Sequence, residues 1–449
     1  MDITSEKKLI DFSYHIHTFG CQMNENDSEN IAGLLHHMGG SPTEKPEGAN
    51  LILINTCAVR KKSEDKLYSL LGRLLSIKKR KDVAIGVVGC VAQLYQTALL
   101  DKYPELDMII GPHNYHHLPQ ILLNRLKDKT IATKWDQKWN ELPFSSLMRK
   151  SQNSAYVTIM EGCNNFCSYC IVPFTRGREK FRPEKNILEE IQDLARNNYK
   201  EVQLLGQNVN SYHDPESGNA FSELLKKAVR INGIEWIRFL TSHPKNFTQE
   251  IAQTMKQHDK ICQQLHLPLQ SGSSAVLKRM KREYSREDYL DIIALLRKLM
   301  PNICLSTDII VGFPNESDQE FLETLDILEA IKFTNIFSFK YSPRPFTAAS
   351  KLKDSIPFEI KRDRLLAVQK KQKEIQLATN QELVGKTIRT LCTGMSKKDP
   401  SVYSGRTEGF QVINFTSRKN VTGQFVDVRI TGYGPYSLRG TTPPNQTSN

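Results

Sequence analysis

The stretch CNNFCSYCIVPFTRGRE, residues 163–179, sets Cys163, Cys167 and Cys170 in a CxxxCxxC spacing. It follows AYVTIMEG (155–162), an apolar run that reads as a strand, so the cysteines begin a loop at a strand end. Three soft thiolates from one short loop suit iron or zinc. Structural zinc usually uses paired CxxC knuckles, and the next cysteine, Cys262, lies far away at the start of another strand pattern. A [4Fe–4S] cluster normally takes four cysteines, so three leave one iron open to a small molecule. S-adenosylmethionine can chelate such an iron through its amino and carboxylate groups. One electron then splits its sulfonium and yields a 5′-deoxyadenosyl radical. A zinc site with a distant fourth ligand is the competing reading.

Downstream, five more strand patterns follow: EVQLLGQN (201–208), WIRFLTSH (236–243), QLHLPLQS (264–271), ICLSTDIIVGF (303–313) and NIFSFKYS (335–342). Helical patterns such as PEKNILEEIQDLARNN and REDYLDIIALLRKLM separate them. Six strands in this rhythm predict a partial (β/α) barrel, whose chemistry sits at strand ends. The polar residues there are candidate S-adenosylmethionine contacts: Gln207, Asn208, His243, Gln270 and Ser271, with Tyr169 of the cysteine loop. Turn capping is the plainer role for the amides and the serine. His15, His17 and His266 read as hydrogen-bonded structure, and Asp308, inside a strand, needs a partner.

Upstream, YHIHTFG (14–20), NLILINT (50–56) and VAIGVVG (83–89) read as buried strands, each running directly into a cysteine: Cys21, Cys57 and Cys90. Helical patterns lie between them, which predicts a parallel sheet. Residues after the carboxyl ends of such strands converge on one crevice, so these three cysteines meet although each is more than thirty residues from the next. A lone cysteine there would be a small core residue; three in the same topological place point to a second cluster. Cys262, Cys304 and Cys392 sit within apolar strand patterns and read as core.

Residues 128–150 are polar and read as a linker. The charged helical stretch over 358–381 reads as a solvated face. Beyond it, TIRTLC, VINF and FVDVRI with frequent turn residues predict a small β-domain. From residue 383 it carries nine Lys/Arg (386, 389, 397, 398, 406, 418, 419, 429, 439) against three acidic residues (399, 408, 427), a net +6. The whole chain of 449 residues carries +12. Both values fit a polyanionic partner such as nucleic acid. The start, MDITSEKKLI, lacks the apolar core of a secretory signal, and no apolar run approaches the ~18 residues that span a bilayer. A cytoplasmic protein with no membrane partner is expected. Nine cysteines in a reducing compartment point to metal rather than disulfides.

On these motifs the chain resembles the tRNA methylthiotransferase family, and within it the MiaB-type branch. TFGCQMNENDS (18–28), NTCAVR (55–60) and GCVAQ (89–93) are similar to its amino-terminal domain, and CNNFCSYCIVPFTRGRE to its radical S-adenosylmethionine signature. LLGQNVNSY, RFLTSHP, HLPLQSGS and TDIIVGFP are similar to further core motifs, and SKKDPSVYSGRTEG (396–409) to its TRAM domain. The resemblance implies a multidomain α/β protein. Its parts are a parallel α/β domain at 11–127 that holds an auxiliary cluster, a partial (β/α) radical core at 149–381, and a small RNA-binding TRAM β-barrel at 383–445. It implies two [4Fe–4S] clusters, a radical one on Cys163, Cys167 and Cys170 and an auxiliary one on Cys21, Cys57 and Cys90. The auxiliary cluster carries the sulfur that is methylated and inserted. One S-adenosylmethionine gives the methyl group and another the radical. The implied target is C2 of N6-dimethylallyladenosine at position 37 of tRNA, with an electron donor protein and a sulfur donor protein as further partners.

Three positions depart from the family pattern. Phe181 stands where a small polar residue is usual, and Asn315 and Phe346 stand where glycine is usual. Two related substrates stay open, a ribosomal-protein aspartate and threonylcarbamoyladenosine in tRNA. So does a non-catalytic, zinc-containing RNA-binding protein.

Overall fold

The computed structural model describes residues 12–124, 129–136, 138–140 and 147–443. The MDITSEKKLI start and residues 444–445 of the terminal domain lie outside them.

The amino-terminal part is a six-stranded, all-parallel sheet. Its strands are β1 (Phe12–Phe19), β2 (Gly40–Pro42), β3 (Leu51–Thr56), β4 (Ala84–Val88), β5 (Met108–Ile110) and β6 (Thr130–Ala132), in the order β2-β1-β3-β4-β5-β6. Every residue of β3 is buried, as expected of a continuous apolar run covered on both faces. Helices α1 (Gln22–His37) and α2 (Lys61–Lys78) supply the crossovers on either side of β3. The strand order reverses between β1 and β3, which opens the crevice at their carboxyl ends. The stretch read as linker is partly structure. β6 pairs with β5, and Trp135 stacks edge-on against His113, ring centroids 5.3 Å apart. Nothing in its polar sequence announces an edge strand of three residues.

The core has six parallel strands. β7 (Ser154–Thr158), β10 (Glu201–Leu205) and β11 (Trp236–Phe239) form one sheet; β12 (Gln264–His266), β13 (Cys304–Val311) and β14 (Asn335–Lys340) form another. A parallel bridge from Ile237 to Ile261 joins them, giving the order β7-β10-β11-β12-β13-β14 of a partial barrel. Helices cross over each step, and Val202, Leu204, Ile237, Leu265 and Ile309 from the strands share one apolar core with them. Between β7 and β10, the two-residue strands β8 (Met160–Glu161) and β9 (Lys180–Phe181) pair antiparallel and bracket the cysteine loop.

The Phe358–Gln381 helix has the bounds read from its sequence, but it is not a solvated rod. One polar face is buried. Arg364 pairs with Glu316 at 2.8 Å and Asp318 at 2.7 Å, and Gln372 and Gln376 donate to the carbonyls of Phe333 and Thr334. Charge alone could not reveal which side met partners of opposite sign.

The terminal part is a closed barrel, β15-β16-β17-β19-β18, of Thr387–Met395, Tyr403–Thr407, Val412–Thr416, Leu438–Thr441 and Phe425–Tyr433 respectively. Cys392, Ile413, Phe415 and Val428 fill it. All nine of its basic residues except Arg406 are exposed. It docks at the amino ends of β12 and β13. Arg238, buried on β11, pairs with Glu201 at 2.7 Å and donates to the carbonyls of Thr407 (2.9 Å) and Glu408. Trp236 meets Phe425 edge-on at 4.6 Å. Among the described residues no helix is long and apolar enough to cross a membrane.

Candidate active site

Cys21, Cys57 and Cys90 stand one or two residues beyond the ends of β1, β3 and β4, three adjacent strands. The Cys21 and Cys57 thiols act on each other at close range, and Cys90 is close enough to act electrostatically on Cys57. That interaction, aided by backbone N–H groups at the start of α1, lowers the pKa of Cys21. Burial pushes Cys90 up, while Cys57 rises through its interaction with Cys21 and through burial.

The motif residues around these cysteines have a packing reason. Asn24 Nδ2 donates to Asn55 Oδ1 at 3.0 Å, and Asn55 Nδ2 donates to the Asn24 carbonyl at 2.8 Å. A Cβ on Gly20 would lie 2.2 Å from Asn24 Oδ1, and one on Gly89 (φ +89°) would lie 2.4 Å from Asn55 Oδ1. The glycines before Cys21 and Cys90 therefore leave room for the asparagine pair that ties the two strand ends together.

Cys163 also follows a glycine. Gly162 has φ +81°, and a Cβ there would lie 2.1 Å from the Arg178 carbonyl. Its N–H is held by Gln207 Oε1, and Cys163 N–H donates to Gly177 O at 3.1 Å. Cys170 N–H donates to Cys167 O at 3.0 Å, which curls the loop. Burial pushes Cys163 up to about 11 and Cys170 up to about 12, so these thiols need a nearby cation before they ionise.

Two arginines that sequence reasoning missed organise both triads. Arg176, buried at the end of the cysteine loop, donates to Cys90 Sγ at 3.3 Å and pairs with Asp27 and Glu161. Burial still pushes Asp27 up to about 6. Arg176 belongs to the quoted RGRE run, but its reach across domains has no signature in one dimension. Arg282 places Nη1 3.5 Å from Cys167 Sγ and 3.4 Å from Tyr169 Oη, and Nε 2.8 Å from Tyr284 Oη. The Tyr284 ring meets His243 edge-on at 5.7 Å. Cys167, Tyr169 and His243 are thus joined in one array.

The strand-end residues divide into two groups. His243 Nε2, Asn208 Oδ1 and Gln270 Oε1 are buried with no hydrogen-bond partner. His243 Nδ1 accepts from the Lys245 N–H at 3.2 Å, so Nε2 carries the proton and is an unused donor. Buried polar groups are normally satisfied, so these three suit a polar ligand. Gln207 and Ser271 are already engaged. Gln207 holds Gly162, and Ser271 Oγ accepts from the Ser273 N–H at 3.3 Å. His15 and His17 hydrogen-bond each other at 3.2 Å on β1. Asp308 finds His266 at 3.6 Å. Among the described residues no group of three or more His, Cys, Asp or Glu side chains is placed to hold a single metal ion. A [4Fe–4S] cluster makes a different demand, one thiolate at each of several irons, so its ligands stand apart.

Residues 157–328 match the Radical SAM superfamily and residues 13–111 the Uncharacterized protein family UPF0004. The chain is 42% identical, over 97% of its length and 91% of the relative's, to the tRNA-2-methylthio-N(6)-dimethylallyladenosine synthase of Acetivibrio thermocellus. It is 44% identical to the protein of the same name from Clostridium botulinum, over 95% of this chain and 96% of that one. In fold it is similar to the radical S-adenosylmethionine methyltransferase TsrM of Kitasatospora setae, with a TM-score of 0.56, 13% identity and 75% of each chain covered.

Proposed function

The chain belongs to the tRNA-2-methylthio-N(6)-dimethylallyladenosine synthase family, and from that membership we propose that it methylthiolates C2 of N6-dimethylallyladenosine at position 37 of tRNA. The product is the 2-methylthio derivative. What supports this reading is the pair of cysteine triads on different domains, with Arg176, just after the core triad, reaching Cys90 and Asp27.

Two [4Fe–4S] clusters and S-adenosylmethionine supply the sulfur, the methyl group and the radical hydrogen abstraction. Cys163, Cys167 and Cys170 hold the radical cluster, and Cys21, Cys57 and Cys90 hold the auxiliary one. Tyr169, Asn208, His243 and Gln270 face S-adenosylmethionine, with His243 donating from Nε2. Gln207 and Ser271 shape the backbone around it. Arg176 neutralises buried negative charge between the triads. The exposed lysines and arginines of the 383–445 barrel bind RNA phosphates. The working parts are 11–127, 149–381 and 383–445, served by an electron donor and a sulfur donor protein.

Mass spectrometry of digested tRNA from a deletion strain tests the reading. The methylthio adenosine should disappear and its dimethylallyl precursor accumulate; unchanged tRNA contradicts it. Iron and sulfide analysis of anaerobically purified protein tests the metal directly, with about eight irons per chain expected from two four-iron clusters.

A further inference from the structure

Phe346 occupies a backbone conformation that a bulky side chain avoids. Its φ is +66°, in the left-handed region where glycine is at ease, yet its ring is 65% exposed and gains little from burial. Asn315, at φ +62°, is the milder case, because asparagine tolerates this region. Strain of the Phe346 kind persists only where surrounding contacts enforce it, and it collects at functional sites.

The enforcing contacts are present. Arg344 donates to Glu64 Oε2 at 3.2 Å and to the Val59 carbonyl at 2.9 Å. The Val59 N–H in turn donates to Cys57 Sγ at 3.3 Å. On the other side, the Ala349 N–H donates at 2.7 Å to the carbonyl of Ser168, between Cys167 and Cys170. The Phe346 loop is therefore pinned beside both triads. Its ring centroid lies 6.2 Å from that of Phe174 at 34°, and Phe174 is two residues from Arg176. Val59, bonded to Arg344 through its carbonyl, is 51% exposed, and Arg60, Lys61 and Lys62 beside it are exposed as well.

We propose that Phe346, backed by Phe174, is a stacking platform for an unpaired RNA base next to the target adenine. The proposal rests on the reading that the substrate is tRNA. Aromatic rings with basic side chains around them are how single-stranded RNA is gripped, because any base offers a flat face to the ring while its phosphates meet the charges. The left-handed backbone holds the ring outward, where a base can reach it.

Phe346→Gly tests this without endangering the fold, since glycine relieves the backbone. Dissociation constants for an anticodon stem–loop carrying dimethylallyladenosine would be measured on full-length, cluster-loaded protein, together with thermal melting. Phe346→Gly should melt no lower than the wild type, yet bind the stem–loop at least about 5-fold more weakly, the lower bound for one base–aromatic stack. Phe346→Trp should bind at least as well as wild type. Equal binding by wild type and Phe346→Gly overturns the platform alone. A wild type that neither binds nor modifies the stem–loop overturns the tRNA reading and the platform with it.

Discussion

Arg176 donates to the Cys90 thiol at 3.3 Å while its guanidinium pairs with Asp27 of α1, so one side chain from the core joins two groups of the amino-terminal domain. The contact ties the segment that follows the core cysteine loop to the strand end that carries Cys90. A reaction that passes a group from one centre to a substrate activated by the other depends on the separation of the two centres.

Arg176→Ala leaves the Asp27 carboxyl buried without a cation, with the Tyr115 hydroxyl beside it at 3.3 Å. Breaking a buried pair in this way costs on the order of 3–5 kcal/mol. The melting temperature should fall and cluster iron should be lost from the amino-terminal side. Adding Asp27→Asn removes the stranded charge, so the double variant should recover part of the stability. If it is no more stable than the single variant, the pair is not the cause.

Gly162→Ala should prevent the cysteine loop from closing, because the new Cβ meets the Arg178 carbonyl at 2.1 Å at a backbone angle alanine resists. Reconstituted protein should contain about four irons instead of about eight, with the cluster signal of the other triad retained. Full iron content in this variant would sink the argument.

Arg344→Ala cuts a tie between the core and the amino-terminal sheet and leaves buried Glu64 with Tyr95 and Tyr68 as its closest remaining partners besides Lys61. Because Lys61 still compensates Glu64, the loss should stay below the roughly 3–5 kcal/mol of a fully broken buried pair, and the melting temperature should fall by a few degrees. Differential scanning calorimetry reads it; an unchanged melting profile contradicts it.

His243 gives a pH dependence of defined sign. Burial, then the charges of Arg282 and Lys245, hold its imidazole down to about 2, while in the unfolded chain it titrates near 6.5. Below that pH the unfolded chain takes up a proton that the folded chain refuses. Its contribution is complete above pH 6.5 and drains away as pH falls, reaching a loss of about 1.4 kcal/mol by pH 5.5. His243→Gln lacks this drain. Denaturation midpoints of the two proteins between pH 7.5 and 5.5 should shift relative to each other by that amount, and parallel curves would rule the mechanism out.

Much of the architecture is legible from periodicity. Leu51–Ile54 is an unbroken apolar run, and the strand it belongs to, Leu51–Thr56, is buried along its whole length. The convergence of Cys21, Cys57 and Cys90 follows from the topology of a parallel sheet, since each cysteine ends a strand. What stays hidden depends on partners far along the chain. Thr130–Ala132 is a strand only because Met108–Ile110 presents a free edge to it. The Phe358–Gln381 helix looks soluble until Glu316 and Asp318 face Arg364. Arg282 lies in an undistinguished basic run, KRMKRE, and its place near Cys167 comes from the fold of the barrel. The departures at Asn315 and Phe346 were visible, but the left-handed backbone they share was not.

The seat of Arg238 in the terminal barrel has a metric consequence. With its guanidinium clamped to the Thr407 and Glu408 carbonyls, the basic barrel cannot swivel freely at the amino ends of the core strands. The cysteine loop lies at the opposite ends. The eight residues of Cys304–Val311 set that interval at about 26 Å by their rise per residue. On the proposed reading of the barrel as the RNA-binding part, a polyanion held there would have to span that interval to reach the cysteine loop, so its length between the two points would matter as much as its sequence.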